Sequence, residues 1–115
     1  MRWTIDESSP SPLHEQIASC VLRSLEDGEL VPGARLPTAT ELAGVLGVNP
    51  NTVLHAYRGL RDRGVLEFRR GRGARVSPDA VARGRVAEAV RGLVELGRAY
   101  GYSPRALAAL VEEMG

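Results

Sequence analysis

The sequence predicts a mainly α-helical protein with one small β-hairpin, and three observations lead to that prediction. Two short helical patterns are separated by a tight turn at residues 47–49, an alternating stretch with a glycine-rich turn follows at residues 66–77, and the composition changes at Pro78. Two helices joined by a tight turn form a helix-turn-helix, and a hairpin directly after the second helix is a wing. We therefore predict a winged helix-turn-helix domain over residues 1–77 and a C-terminal two-helix segment over residues 78–115.

The length and composition are typical of a small protein without disulfide bonds. The chain has 115 residues, a net charge of +1 and one cysteine, Cys20, so no intrachain disulfide can form. The N-terminus lacks the apolar segment of a secretory signal, and the longest apolar run, residues 106–111, is too short to span a membrane. These features predict a cytoplasmic protein that is not bound to a membrane.

The first two helices are predicted from their caps and their apolar spacing. Ser11 and Pro12 are placed as the N-cap and first residue of helix one, which ends at Gly28. Thr38 and Glu41 have the spacing of a capping box, which begins a second helix. The predicted apolar faces are Leu13, Ile17, Cys20, Val21 and Leu25 on helix one, and Leu42, Val45 and Leu46 on helix two.

Pro50 lies at the start of the third helical pattern, where it begins the helix rather than breaking it. Asn49 is a strong N-cap residue, and the residue before a proline favours the same extended backbone. Pro50 then occupies the first helical position, where its missing N–H breaks no hydrogen bond. The helix is predicted to end at Gly64, and its buried stripe to be Val53, Ala56, Tyr57 and Leu60.

The positive charge of the chain is concentrated around the predicted wing. Leu66 and Phe68 alternate with polar residues, residues 70–73 form the predicted turn, and residues 74–77 return. Residues 1–57 contain three arginines against seven acidic residues, whereas residues 58–75 contain seven arginines against two. A local excess of this size attracts a polyanion.

The outer face of the third helix is predicted to enter a DNA major groove. A rotation of about 100° per residue places Asn51, His55 and Arg58 opposite the buried stripe. Their amide, imidazole and guanidinium groups suit the donor and acceptor patterns of base edges, while wing arginines suit phosphates or a minor groove. The predicted DNA-binding residues are Thr38, Thr40, Asn49, Asn51, Thr52, Leu54, His55, Arg58, Arg69, Arg70, Arg72 and Arg75.

The C-terminal segment predicts two amphipathic helices that depend on packing for stability. The first covers about residues 79–100, and Ser103 and Pro104 begin the second. Glycines at positions 84, 92 and 97 each weaken the longer helix by about 1 kcal/mol relative to alanine, so tertiary or intersubunit contacts must stabilise it. The apolar positions of the two helices include Val86, Val90, Leu93, Leu96, Leu107, Leu110, Val111 and Met114.

No enzyme, cofactor or metal site is predicted. The chain has no lysine, which excludes a P-loop, and it has no nucleophile-elbow motif. Cys20 lies on an apolar stripe, which favours a core role over nucleophilic chemistry. His55 has no second ligand three or four residues away, and the other histidine, His14, is distant in sequence, which argues against a metal site.

Residues 10–77 resemble the N-terminal domain of the GntR family of bacterial transcription regulators. The elements in family order are Pro12-Leu13, Gln16-Ile17, Gly28, Leu30, Pro32-Gly33, Leu36-Pro37, Glu41-Leu42-Ala43, Leu46-Gly47-Val48, Thr52-Val53, Leu60, Gly64 and Gly71-Arg72-Gly73. The run over residues 49–53 (NPNTV), Ala56-Tyr57 and the short tail resemble the YtrA subfamily.

The resemblance implies a homodimer, joined through its C-terminal helices, that binds a pseudo-palindromic operator. It also implies a repressor, acting on its own operon and on a nearby transport system. The apolar tail residues named above would then be the dimerisation residues. Many relatives have arginine where this chain has Thr40, and arginine on the recognition helix at the position of Pro50 or Leu54. The guanine contacts of those relatives therefore do not transfer to this chain.

Two other functions fit the same sequence. A winged helix can also bind proteins, with its arginines facing an acidic partner, and substitution of Asn51 or His55 would then leave nucleic-acid binding unchanged. A small-molecule effector can bind near the dimer helices, where Tyr100 and Tyr102 are candidate lining residues, although packing between helices is the favoured role for both. Sequence-specific DNA binding is the leading prediction.

Overall fold

The computed structural model describes residues 3–71 and 73–115, and within them it contains five α-helices and one antiparallel β-hairpin. The elements in chain order are α1 (Leu13–Glu26), α2 (Ala39–Leu46), α3 (Pro50–Asp62), β1 (Leu66–Arg69), β2 (Gly73–Val76), α4 (Ala80–Ala99) and α5 (Pro104–Met114). The prediction of a mainly helical fold with a small hairpin is confirmed.

The start of α1 differs from the prediction by one residue. Pro12 has an extended backbone (φ −57°, ψ 146°) and is itself the N-cap, so Ser11 does not cap the helix. The Gln16 side-chain amide instead donates to the carbonyl oxygens of Asp6 and Ser11, at 2.9 Å each, and so ties the N-terminal segment to α1. The predicted end of the helix is confirmed, because Gly28 follows it with a positive φ of 77°.

α2 begins with the predicted capping box, but its apolar face is different. Thr38 Oγ1 accepts a hydrogen bond from the Glu41 N–H, and Glu41 Oε1 accepts one from the Thr38 N–H, both at 3.1 Å. The prediction that Val45 is buried is wrong: it is 78% exposed, whereas Ala43 is buried beside Leu42. Ala43 and Val45 flank Leu42 on opposite sides of the helix, and the side with the smaller residue packs against the core.

α3 lies at the centre of the first three helices. Asn49 Oδ1 accepts a hydrogen bond from the Asn51 N–H at 2.8 Å, and Pro50 is the first helical residue, as predicted. Both α1 and α2 contact α3. The four predicted core residues of α3 are all buried, namely Val53, Ala56, Tyr57 and Leu60. The buried stripe therefore fixes which side of α3 faces solvent.

β1 and β2 form the predicted hairpin, with Leu66 opposite Val76. Gly73, predicted in the turn, is the first residue of β2. The predicted alternation of buried apolar and exposed polar residues holds at Leu66, which is buried. It does not hold at Phe68, which is 39% exposed. The segment at residues 34–36 lies along the other edge of β2, since the Val76 N–H donates to the residue-34 carbonyl oxygen at 2.9 Å. The wing is thus supported by a short extended segment that precedes α2.

The first compact unit of the chain ends at Gly84, within α4. Ala80 is fully buried in the hydrophobic core. A Cβ atom on Gly84 would lie 3.2 Å from Leu22 Cδ2 and 3.7 Å from Val65 Cγ2, so the helix approaches the core closely at this glycine. The first turn of α4 therefore contributes to the core of this unit.

The second compact unit, Arg85–Gly115, is a helical hairpin. α5 starts as predicted, because Ser103 Oγ accepts a hydrogen bond from the Ala106 N–H at 3.1 Å. Leu107 is buried against Gly97, where a Cβ atom would lie only 2.7 Å from Leu107 Cδ1. Gly97, expected only to weaken α4, therefore provides the space that α5 occupies.

Candidate nucleic-acid interface

The outer face of α3 carries the polar side chains that the sequence predicts. Asn51, His55 and Arg58 are exposed, and Thr52 and Leu54 on the flanks are half-buried. The opposite side of the helix is anchored in the core by its buried stripe. A helix held in this way presents an amide, an imidazole and a guanidinium to solvent without any rearrangement of the core.

The N-cap determines which groups the start of α3 can offer. Asn49 Oδ1 is engaged by the Asn51 backbone, so the side-chain NH₂ group of Asn49 is the part that can donate to a phosphate. Asn51 uses only its backbone in that hydrogen bond, and its side-chain amide retains both a donor and an acceptor. The first turn of α3 contains no acidic residue, so the positive end of the helix dipole is not neutralised there.

The start of α2 presents two threonines beside a carboxylate. The Thr38 hydroxyl oxygen accepts a hydrogen bond from the Glu41 N–H. Thr40 is exposed in the first turn. Hydrogen bonds from Thr38 hold the pKa of Glu41 below its usual value, with a smaller effect of the Arg35 charge in the same direction. The ionised carboxylate weakens the attraction of this helix start for a phosphate.

His55 is in contact with His14 of α1. The two ring centroids are 3.8 Å apart and the planes are inclined by 35°. Burial of His14 lowers its pKa, the charge of His55 lowers it further, and Glu15 opposes both effects. The two histidines are distant in sequence, but the packing of α1 on α3 brings them together. Within residues 3–71 and 73–115, no group of three or more His, Cys, Asp or Glu residues could hold a metal ion.

The arginines at the tip of the wing differ in their contacts. Arg70 is exposed. Arg69 Nη2 lies 3.4 Å from Glu67 Oε2, so part of its charge is compensated by a neighbouring carboxylate. Arg72, which the sequence also predicts to bind DNA, lies outside the described residues.

Arg75 is held against the backbone instead of extending from the wing. Its Nη1 donates to the Gly33 carbonyl oxygen at 3.3 Å, and its buried Nε has no hydrogen-bond partner. An isolated antiparallel bridge joins Arg75 to Arg35, an exposed arginine that the sequence analysis did not assign to the interface. Strand patterns in the sequence could not reveal the pairing of Arg35 with Arg75, because the two residues are distant in sequence.

A second contact missed by the sequence analysis joins α3 to the wing. Arg61 Cζ lies 5.0 Å from the centroid of the Phe68 ring, and Arg61 Nη2 lies 3.3 Å from Asp62 Oδ1. A guanidinium over an aromatic face is an attractive cation–π arrangement. It covers one face of the partly exposed Phe68 and links the end of the helix to β1.

The predicted dimerisation residues are exposed, with one exception. Leu107 is buried inside the helical hairpin of its own chain. The exposed residues are Val86, Val90, Leu93, Leu96, Leu110, Val111 and Met114. Tyr100 and Tyr102, the candidate effector-lining residues, are also exposed. In the part of the chain that the structure describes, no helix is both long and apolar enough to cross a membrane.

A helix-turn-helix with a polar second helix, followed by an arginine-bearing hairpin, defines a winged-helix DNA-binding protein. The family model of bacterial regulatory proteins of the gntR family matches residues 13–76. The chain belongs to the GntR family. Residues 13–76 are therefore the DNA-binding domain of a bacterial transcription regulator.

Individual relatives support the predicted branch of the family. The chain is 41% identical over 76 residues to the HTH-type transcriptional repressor YtrA of Bacillus subtilis (strain 168), a match covering 66% of this chain and 58% of that protein. It is 37% identical over 97 residues to the HTH-type transcriptional regulator Rv1152 of Mycobacterium tuberculosis, covering 84% and 80%. The solved structure of YtrA from Sulfolobus acidocaldarius, a GntR-family transcription factor, is 30% identical, with a TM-score of 0.65 and coverage of 96% and 94%. The resemblance to the YtrA subfamily is confirmed.

Proposed function

We propose that the chain is a homodimeric transcription repressor that reads a pseudo-palindromic operator with α3 and contacts phosphates with its wing. One observation carries the proposal: α3 buries its entire apolar stripe and leaves Asn51, His55 and Arg58 exposed. A helix face of this kind matches the donor and acceptor pattern of a major groove. The exposed arginines of the wing supply the sequence-independent part of the affinity.

The exposed apolar residues of the second compact unit support a dimer. Val86, Val90 and Leu93 on α4, and Leu110 and Val111 on α5, are all exposed within a unit of small size. Apolar surface concentrated in this way is characteristic of a protein–protein contact. A twofold dimer would present two copies of α3 to half-sites separated by one helical turn of DNA or a multiple of it.

The repressor role is proposed from the relative that carries that name, the YtrA protein of Bacillus subtilis. A dimer bound over a promoter prevents access of RNA polymerase to the same duplex. The regulated genes proposed here are the operon of the protein itself and a neighbouring transport system.

DNA binding is tested with a labelled duplex from the region upstream of its own gene. Fluorescence anisotropy at about 150 mM salt should give an affinity at least about 10³-fold higher than that for a shuffled duplex of the same composition. Equal affinity for the two duplexes would contradict sequence-specific binding. Light scattering should give the mass of a dimer, and a monomer at micromolar concentration would contradict the proposed assembly.

Repression itself requires a separate measurement. In a purified transcription reaction with the same upstream region, added protein should reduce transcript yield in proportion to operator occupancy. Asn51→Ala, which retains the wing and the tail, is the matched control and should repress less at the same concentration. An increase in transcript yield on operator binding would show that the protein is an activator and not a repressor.

A further inference from the structure

The contact between His14 and His55 brings a residue of α1 to the face of the recognition helix. The rings are 3.8 Å apart between centroids and inclined by 35°, so one ring partly covers the face of the other. His14 is half-buried and His55 is exposed. The face of the His55 ring that meets His14 is occupied, whereas its edge, which carries the nitrogen atoms, is the part that can bind a base.

Restriction of His55 matters because an exposed side chain on a helix samples several rotamers. Ordering such a side chain on binding has an entropic cost that lowers affinity. A ring that is already stacked on a neighbour loses less freedom when DNA binds. The fixed ring also presents its nitrogen atoms in a defined direction, which sharpens discrimination between base pairs.

We infer that His14 is a positioning residue of the DNA interface, which stacks on His55 and holds its imidazole for a base contact. The inference rests on the proposed function, because it requires that α3 enters the major groove. His14 acts through His55 and need not touch DNA itself. The part of the protein that recognises the DNA sequence therefore includes α1 as well as the helix-turn-helix.

The geometry does not suit the obvious alternative, a metal ion held by two histidines. The lone pair of an imidazole nitrogen lies in the plane of its ring. Two imidazoles that share a metal ion approach it with their edges, whereas these two rings meet at their faces. In the described part of the chain, no third ligand joins the pair. Stacking is therefore the interaction that the contact provides.

Selection from a randomised duplex library tests the inference with the full-length chain. Wild type, His55→Ala, His14→Leu and His14→Phe are compared, because leucine fills space without a planar ring and phenylalanine restores a ring without charge. Ser19→Ala, at an exposed position of α1, is the matched control. Circular dichroism and the thermal midpoint verify folding of each variant, and His14→Ala replaces His14→Leu if the latter does not fold.

The expected result is a loss of base preference at the same operator positions in His14→Leu and His55→Ala. Affinity of His14→Leu for the selected sequence should fall about two- to tenfold, the range of an aromatic pair contact. His14→Phe should recover most of the preference, and Ser19→Ala should match wild type. A structural role alone would change overall affinity without changing the preference at those positions.

Three outcomes would overturn the inference while leaving the proposed function intact. The first is an unchanged base preference in folded His14→Leu. The second is a loss of base preference in folded His14→Phe as large as that in His14→Leu. The third is an unchanged base preference in His55→Ala. A wild-type chain that selects no sequence would instead overturn the proposed function, and the inference with it. The two failures are therefore distinguished by the wild-type selection.

Discussion

The Tyr57 hydroxyl donates a hydrogen bond of 2.8 Å to the carbonyl oxygen of Pro37. Tyr57 lies on the buried stripe of α3, and Pro37 immediately precedes Thr38, the N-cap of α2. The bond therefore ties the start of α2 to the recognition helix. It gives the helix-turn-helix a polar link in addition to its apolar core.

We expect Tyr57→Phe to destabilise the fold by about 1 kcal/mol, because the ring is retained and the Pro37 carbonyl loses its partner. The free energy of unfolding is measured by urea denaturation monitored by circular dichroism. Tyr100→Phe is the matched control, since Tyr100 is 76% exposed and should change stability by less than about 0.5 kcal/mol. Equal stability of Tyr57→Phe and wild type would mean that the bond makes no net contribution.

Tyr57 should also make the fold sensitive to alkaline pH. Burial, and to a smaller degree the Glu41 carboxylate, raises the pKa of Tyr57 above its ordinary value of 10.0. Because the pKa in the folded state lies above that in the unfolded state, the stabilisation is complete below the unfolded pKa of about 10 and is lost as the pH rises beyond it. The free energy of unfolding should fall between about pH 9.5 and 11 in wild type, and less steeply in Tyr57→Phe. Identical slopes for the two proteins would contradict this assignment.

The sequence predicted those parts of the fold that local chemistry determines. The Asn49 cap, the capping box of Thr38 and Glu41, and the buried stripe of α3 all follow from short-range spacing. The burial of Ala43 rather than Val45 does not follow from short-range spacing. Both residues flank Leu42, and only the tertiary packing determines which of them is buried. Hydrophobicity alone favours the valine.

The sequence did not predict the contacts of the site that join different segments of the chain. His14 and His55 lie on different helices, and their contact depends on how α1 packs on α3. Arg75 was expected on the free surface of the wing, yet the backbone at Gly33 holds its guanidinium. Leu107 was expected to face a partner, yet Gly97 opens a space for it within the chain. In each case the two residues in contact belong to different segments of the chain, so the contact depends on how those segments pack.

Asn51→Ala should reduce sequence-specific binding by about 1–3 kcal/mol, the value of one good base contact. Its side-chain amide is exposed and is not used by the N-cap, so the helix should be unaffected. Anisotropy titrations compare the selected operator with a shuffled duplex. An equal loss on both duplexes would show that Asn51 contacts the backbone of DNA instead of a base.

Arg70→Ala should lower the slope of log affinity against log salt by about 0.9, the value for one phosphate neutralised. Arg69→Ala should lower it less, because the Glu67 carboxylate already lies 3.4 Å from the Arg69 guanidinium. By the same reasoning, Glu67→Gln should strengthen binding to all duplexes. Arg105→Ala, at an exposed position of α5, removes the same charge and is the control. A slope in Arg70→Ala no different from that in Arg105→Ala would place Arg70 away from the phosphates.

Leu93→Asp should dissociate the proposed dimer, because burial of an unpaired carboxylate in an apolar contact is costly. Leu93 is 38% exposed in the single chain, so the substitution should leave the helical hairpin folded. The dimer dissociation constant, measured by sedimentation, should rise more than about tenfold, as expected for a central interface residue. Val31→Asp introduces the same charge at a valine of the first compact unit that is 54% exposed, and it should leave the dimer intact. A folded Leu93→Asp protein with an unchanged dimer constant would locate the subunit contact elsewhere on the chain.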